Sequence, residues 1–280
     1  MSMTAVKTIL TTAHLTFQEA RQRRVLWAVA FLGLACLGVF AAGFSVIHHR
    51  SKFTIVGERS EVTNFLLLTG LYGVNFLVVM LAILTSVDTI AGEITSGTIH
   101  TIVTKPLRRW QVLLGKWLGL AAMLSVFTVS MCVAMMGIVW LVTRYVPPNP
   151  VQGVMLMLLE GMVLLSLSIL GGTRLSTLNN GVVVFMLYGL AFIAGWIEQV
   201  GSFLRSDAAV HIGIVTSLLM PSEALWKRAA WLMQPQFLRQ LGFGPFAAVS
   251  APSPAMVAYA GAYIAAALAV AVYSFQRRDL

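Results

Sequence analysis

Glu160 is the residue in this chain whose placement most demands a chemical explanation. It lies near the middle of an apolar run, in LMLLEGMVLL, with no charged neighbour in sequence. A charge at the centre of a hydrocarbon layer costs several kcal/mol, so Glu160 must face protein or water. Two chemistries fit: a group lining a solute path or gate, or a protonated carboxyl hydrogen-bonded across a helix interface. Asn75, Asn64 and Thr69 in the second apolar run pose the same question more mildly, as do Asn179 and Asn180 at the head of the fifth. Interhelical hydrogen bonding is the expected answer for these.

Catalytic and metal chemistry find little to work with. Gly115-Lys116 invites a phosphate-loop reading, but that loop needs a glycine five residues before the Gly-Lys pair and a Ser or Thr after it. Trp110 and Trp117 hold those places. The chain therefore carries no nucleotide site of this type. No HExxH helix or GxSxG elbow occurs. His48-His49 sits beside Arg50 and Lys52, a poor place for a metal cation, and His14, His100 and His211 stand apart. Cys36 and Cys132 lie inside apolar runs and read as small core residues. The 14 methionines scatter without clustering and read as packing residues. Neither a metal site nor an enzyme is expected.

Composition sets the class. Of 280 residues 58% are hydrophobic and 10% charged, with mean hydropathy +0.85. Soluble domains carry about 25% charged residues, so this is a membrane protein. The net charge of +9 does not argue for nucleic acid, because the basic residues cluster at the ends of apolar runs, where headgroups and topology account for them.

Six runs reach the roughly 20 residues a bilayer requires: 25–47, 64–87, 112–142, 151–172, 181–199 and 255–275. The expected fold class is all-α: one polytopic domain over 1–280. The third run is long enough to tilt or project. Pro147, Pro148 and Pro150 mark a tight turn before the fourth. Ahead of the first span, Val6, Ile9, Leu10, Ala13, Phe17 and Ala20 recur at helical spacing. Residues 1–24 thus read as an amphipathic interfacial helix in contact with lipid. The length of this segment and of the run after it predicts a retained span rather than a signal peptide cleaved near Val39-Phe40-Ala41.

With both termini inside, 11 basic residues face in and eight face out, or 11 against four once the long segment 200–254 is set aside. That segment is too long for a structureless connector. Within it, 211–220 is apolar but short, and Pro221-Ser222 introduces a helix. On that helix Trp226 and Trp231 are expected at headgroup level, with Lys227 and Arg228 turned away from the apolar side.

Between the second and third spans lies a polar island, 88–116. It reads as a small helix, a stop and a second helix. Glu93 is expected near the positive start of the small helix, Gly97 and Thr98 at its turn, and Lys105-Pro106 at its end. Arg108, Arg109 and Lys116 follow as a basic cluster. The pattern Glu93…Ser96-Gly97-Thr98…Thr104-Lys105-Pro106…Arg109…Gly115-Lys116 resembles the cytoplasmic loop of ABC-2 type transporter permeases. The likeness extends over the whole chain, down to its basic close, Arg277-Arg278.

The resemblance implies a permease subunit of an ABC exporter in a bacterial or archaeal inner membrane. It implies a cytoplasmic coupling loop, 88–111, docked on a separate ATPase subunit that binds the ATP. It also implies small outer helices before the last span, and a homodimer or paired permease. Glu93 would hold the coupling helix, Gly97 and Thr98 shape its turn, and Lys105, Pro106 and Arg109 form its exit. The competing class is an ion-coupled transporter or channel working without an ATPase, which calls for more than one intramembrane charge; only Glu160 stands out at depth.

Overall fold

A computed structural model of the chain describes residues 3–50, 56–95, 108–204, 206–236 and 253–277. Among these residues the fold is helical throughout: α1 (Met3–Gln22), α2 (Arg24–Arg50), α3 (Val56–Thr95), α4 (Arg109–Thr143), α5 (Pro150–Gly172), α6 (Thr177–Phe203), α7 (Asp207–Leu219), α8 (Ser222–Met233) and α9 (Pro254–Gln276). Six of them, α2 to α6 and α9, are long and apolar enough to cross a membrane. With no water in hydrocarbon to serve backbone groups, helices that satisfy their own amides are the form such runs must take.

Breaks between helices follow local chemistry. α4 stops at Arg144, which adopts a left-handed conformation (φ 58°) and donates its amide to the Trp140 carbonyl. Its guanidinium lies 4.2 Å from the centroid of the Trp140 ring. Asn149, also left-handed (φ 46°), hands the chain to Pro150 in the first turn of α5, where the missing amide costs nothing. α7 and α8 bend through 108° at Met220-Pro221.

Two helices form the centre. The most apolar window of α3 is 67% buried and that of α5 61%, against 17% for both α2 and α9. Leu67, Leu71, Val78 and Leu81 of α3 and Met157, Leu164 and Leu165 of α5 are wholly enclosed. α2 presents Phe31, Leu34 and Val39 outward, a face fit for lipid or another apolar surface.

Polar contacts fix which ends lie together. At one end Arg23, at the α1–α2 junction, reaches Asp88 of α3 at 3.5 Å. Thr177 at the head of α6 donates to the same Asp88 at 3.4 Å. At this end too, Arg174 after α5 donates to Ser274 of α9 at 2.9 Å. At the other end Asn64 of α3 donates to the Tyr145 hydroxyl and the Met233 carbonyl, both at 2.9 Å. The first end gathers Arg21, Arg23, Arg24, Arg108, Arg109, Lys116, Arg174 and Arg277, the grouping expected from the sequence.

α1 does not stand apart from the bundle. It lies along the first half of α4, burying Ile9, Thr16 and Ala20 while Val6, Leu10 and Leu15 stay exposed. Gly115 and Gly119 make the approach possible. A Cβ on Gly119 would sit 2.5 Å from the Ala13 carbonyl oxygen, and one on Gly115 2.6 Å from Thr12 Cβ.

Two expectations are corrected. The second span is not followed by a separate small helix at residue 88, because α3 runs unbroken through Thr95. Glu93 therefore lies in the last turn of a long helix, near its negative end, instead of the first turn of a short one. Trp226 is not at an open surface: it is 3% exposed and packs on Tyr72, with ring centroids 5.3 Å apart.

Gly119→Ala should destabilise the protein by about 1–3 kcal/mol, since the methyl meets fixed backbone. Gly137→Ala, where a Cβ meets nothing within 4 Å, should be neutral or gain up to about 1 kcal/mol of helix propensity. Thermal unfolding of the two variants in detergent checks both; equal midpoints would unseat α1 from α4.

Candidate functional site

The polar island of the sequence emerges here as two clamped helix ends. Ser96, Gly97, Thr98, Thr104, Lys105 and Pro106 lie outside the described residues, and Glu93 is placed by its backbone alone. What the structure describes is how the stems of the loop are held. Lys116, 5% exposed, donates from Nζ to the Thr89 carbonyl at 3.3 Å. This joins the start of α4 to the end of α3. Arg109 lies half-buried with Nη1 3.5 Å from the Phe275 and Gln276 carbonyls. Those are last-turn carbonyls of α9, where a cation is favoured. Gly115 supplies the third attachment, its close contact with α1. Arg108 remains exposed.

Asp88 is the hub beside these stems. Arg23, itself paired with Glu19 at 2.7 Å, and Thr177 converge on it. Asp88 and Thr177 also stand at the polar end of an open cleft of about 490 Å³ between α3 and α6. The rest of that cleft is apolar, walled by Ile83, Leu84, Val87, Val182, Phe185 and Met186. A second apolar recess of about 370 Å³ lies between α1, α4 and α9. Both shapes suit hydrocarbon chains.

Glu160 and Asn75, singled out separately from the sequence, meet in the interior. Glu160 is 1% exposed and Asn75 2%. The Asn75 amide turns toward Glu160, yet neither Glu160 oxygen nor Asn75 Oδ1 completes a well-formed hydrogen bond among the described residues. Other expected interhelical bonds take varied forms. Asn64 bridges three segments, and Asn180 donates to the Ser168 carbonyl at 2.8 Å. Thr69 instead bonds within its own helix, to Phe65, and Asn179 is exposed. Burial pushes the Tyr145 hydroxyl above its ordinary pKa, opposed by the Asn64 bond.

Sequence reasoning overlooked a second polar group. Lys227, expected to point away, inserts between α8 and α6, donating to the Gly195 carbonyl at 2.9 Å and to Glu198 at 2.8 Å. Glu223, one turn earlier on α8, is 7% exposed and rests against Gly195, where a Cβ would collide with it. Glu160 is thus not alone at depth. The only hint in the sequence was the i, i+4 spacing of Glu223 and Lys227, which ordinarily marks an exposed helix pair.

Six spanning helices around a buried polar centre, with one basic end and a clamped loop, define a multi-pass membrane protein. The family model for "ABC-2 family transporter protein" matches residues 10–280, and the chain belongs to that family. Over 104 residues it is 36% identical to the probable ABC transporter permease protein NosY of Pseudomonas aeruginosa, covering 37% of this chain and 33% of that protein. Over 98 residues it is 36% identical to the protein of the same name from Stutzerimonas stutzeri, covering 34% and 30%. The chain thus spans about a third of the length of these relatives.

Lys227→Met should cost about 1–3 kcal/mol by leaving Glu198 and the Gly195 carbonyl without their donor. Adding Glu198→Gln should restore part of the loss. A double-mutant cycle of unfolding midpoints measures the coupling, and additive losses would mean the ion pair does not hold α8 to α6.

Proposed function

We propose that this chain is the permease subunit of an ABC-2 type exporter, its single domain over 1–280 forming the transmembrane path. The observation that carries the proposal is the loop between α3 and α4. Its stems are fastened to α1, α3 and α9 at the basic end of the bundle, so force applied to the loop is delivered to four helices together. A separate ATPase subunit docks on that loop and binds the ATP; the chain itself needs no cofactor. Glu93, Ser96, Gly97, Thr98, Thr104, Lys105 and Pro106 form the docking surface. Arg109, Gly115 and Lys116 are its anchors in the bundle.

The basic end is cytoplasmic by the positive-inside bias, in a bacterial or archaeal inner membrane, and α7 and α8 lie on the outer side. α1 rests in the inner headgroup layer with Val6, Leu10 and Leu15 toward lipid. Six spans make half a path, so two copies or a paired permease complete it across the outward apolar faces. The NosY relatives, named as ABC transporter permeases, support the transport role. The competing reading, an ion-coupled transporter without an ATPase, gains a second buried carboxyl in Glu223 but leaves the family membership and the clamped loop unexplained.

Thr98→Cys, carrying a short bifunctional cross-linker, should capture the co-expressed ATPase, whereas Cys at Val146, at the opposite end, should not. An assembled complex that yields no adduct at position 98 would defeat docking at this loop. Purified alone, the chain should hydrolyse no ATP, and activity should appear only with the ATPase present.

A further inference from the structure

The buried carboxyls Glu160 and Glu223 sit on different helices, α5 and α8, near enough for the charge of Glu223 to reach Glu160. Tyr72 of α3 lies within electrostatic reach of both carboxyls. Its ring packs on Trp226 at 5.3 Å and Phe192 at 6.4 Å. Tyr188 of α6, itself buried, lies within electrostatic reach of the same carboxyls. Asn75, one turn along α3 from Tyr72, turns to Glu160. Beyond Glu223 come Lys227 and Glu198, whose side chains are 13% and 19% exposed. Polar groups therefore cluster from the partly exposed Lys227 and Glu198 to the fully buried Glu160. α4 and α9 contribute apolar side chains and two tyrosines. Gly161 packs on Leu124 of α4 and Val78 of α3, α9 buries Ala260 and Ala267, and its Tyr259 and Tyr263 face each other at 6.2 Å.

This arrangement is under-protonated as a static hydrogen-bond network. Both Glu160 oxygens, Asn75 Oδ1 and Ser222 Oγ are buried without partners among the described residues. Buried acceptors are ordinarily matched by donors. The nearby cation, Lys227, bonds Glu198 and the Gly195 carbonyl and offsets part of the charge of Glu223, but two ionised carboxylates here would still repel each other in a medium of low dielectric. Among the described residues no group of three or more His, Cys, Asp or Glu converges, which leaves a divalent ion short of oxygen ligands.

We propose that Glu160 and Glu223, with Tyr72 and Asn75 beside them, form an exchangeable proton site open to water at the α7–α8 face. Loading is a bare proton transfer: a hydronium O–H bond breaks, an O–H bond forms on a carboxyl oxygen, and water departs. The proton supplies the donor that the network lacks, and its release separates the two carboxyls by repulsion. α8 is the element this would loosen, since Glu223 rests on Gly195. The site goes beyond the exporter reading and does not depend on it, because loading needs no ATPase.

Dicyclohexylcarbodiimide, an apolar reagent for protonated carboxyls, tests this on the whole chain in liposomes, with the modified residue located by mass spectrometry. Glu160 labelling should be present in mildly acid buffer. It should fall about tenfold per pH unit above its midpoint, as for any titrating acid, following the pH on the α7–α8 side. Glu223→Gln, which removes one negative charge, should move the midpoint to lower pH. Infrared spectra of wild type should show a carboxyl C=O band that bleaches over the same range and is lost in Glu160→Gln. Labelling that ignores pH, a silent Glu160, or a carboxyl band constant with pH in wild type would overturn the proposal without recourse to any variant. An unmoved midpoint in a folded Glu223→Gln protein would overturn the pairing.

Discussion

The burial of α3 and α5 against one another is the constraint on which the bundle depends. A spanning helix gains little from apolar contact alone, because lipid is as apolar as its neighbour, so close fit and interhelical polar bonds hold the centre. α3 supplies both. Its side chains reach Tyr145 and Met233 at one end through Asn64, Glu160 in the middle through Asn75, and Arg23 and Thr177 at the other end through Asp88. Every bond replaces a hydration that the membrane interior does not offer, so each unpaired atom along α3 carries a cost that surface positions escape.

Composition and run length made the fold class legible because bilayer thickness imposes a minimum on every span. Six runs became six long helices for that reason. Boundaries were less legible. Hydropathy registers where apolar residues stop, whereas a helix stops only where its hydrogen bonding does, so α3 passes through Asp88 and Glu93 without a break. The seat of α1 on Gly115 and Gly119 was not legible; nothing in sequence separation links residue 119 to Ala13.

Depth of side chains was the least legible property. Trp226, Lys227 and Glu223 share a short helix with charged and aromatic residues in alternation, a pattern that suits an interface. They are drawn inward because α8 folds back against α3, α5 and α6, and Gly195 leaves room for it. Glu160 was conspicuous because it interrupts an apolar run. Glu223 was not, because its run is polar enough to hide it. A charge is noticed in sequence by contrast with its neighbours, while its energy is set by its surroundings in space.

The two polar regions of the molecule sit on the same helix. α3 spans 40 residues, about 60 Å at 1.5 Å per residue, and no proline interrupts it. Thr89, which accepts Lys116 at the loop stem, and Asn75, which turns to Glu160, are 14 residues apart on it, near four turns. Intact helices resist axial compression and kink mainly at prolines and local bulges. The loop stem at Thr89 and the carboxyl seam at Asn75 therefore share one unbroken helix even though they lie at different depths. Any rotation of α3 that disturbs Asp88 and Thr89 must also turn Asn75 and Tyr72 against α5 and α8. Were loading of the proposed site at Glu160 to depend on the rotation of α3, the rotation would by the reciprocity of linked equilibria depend equally on loading.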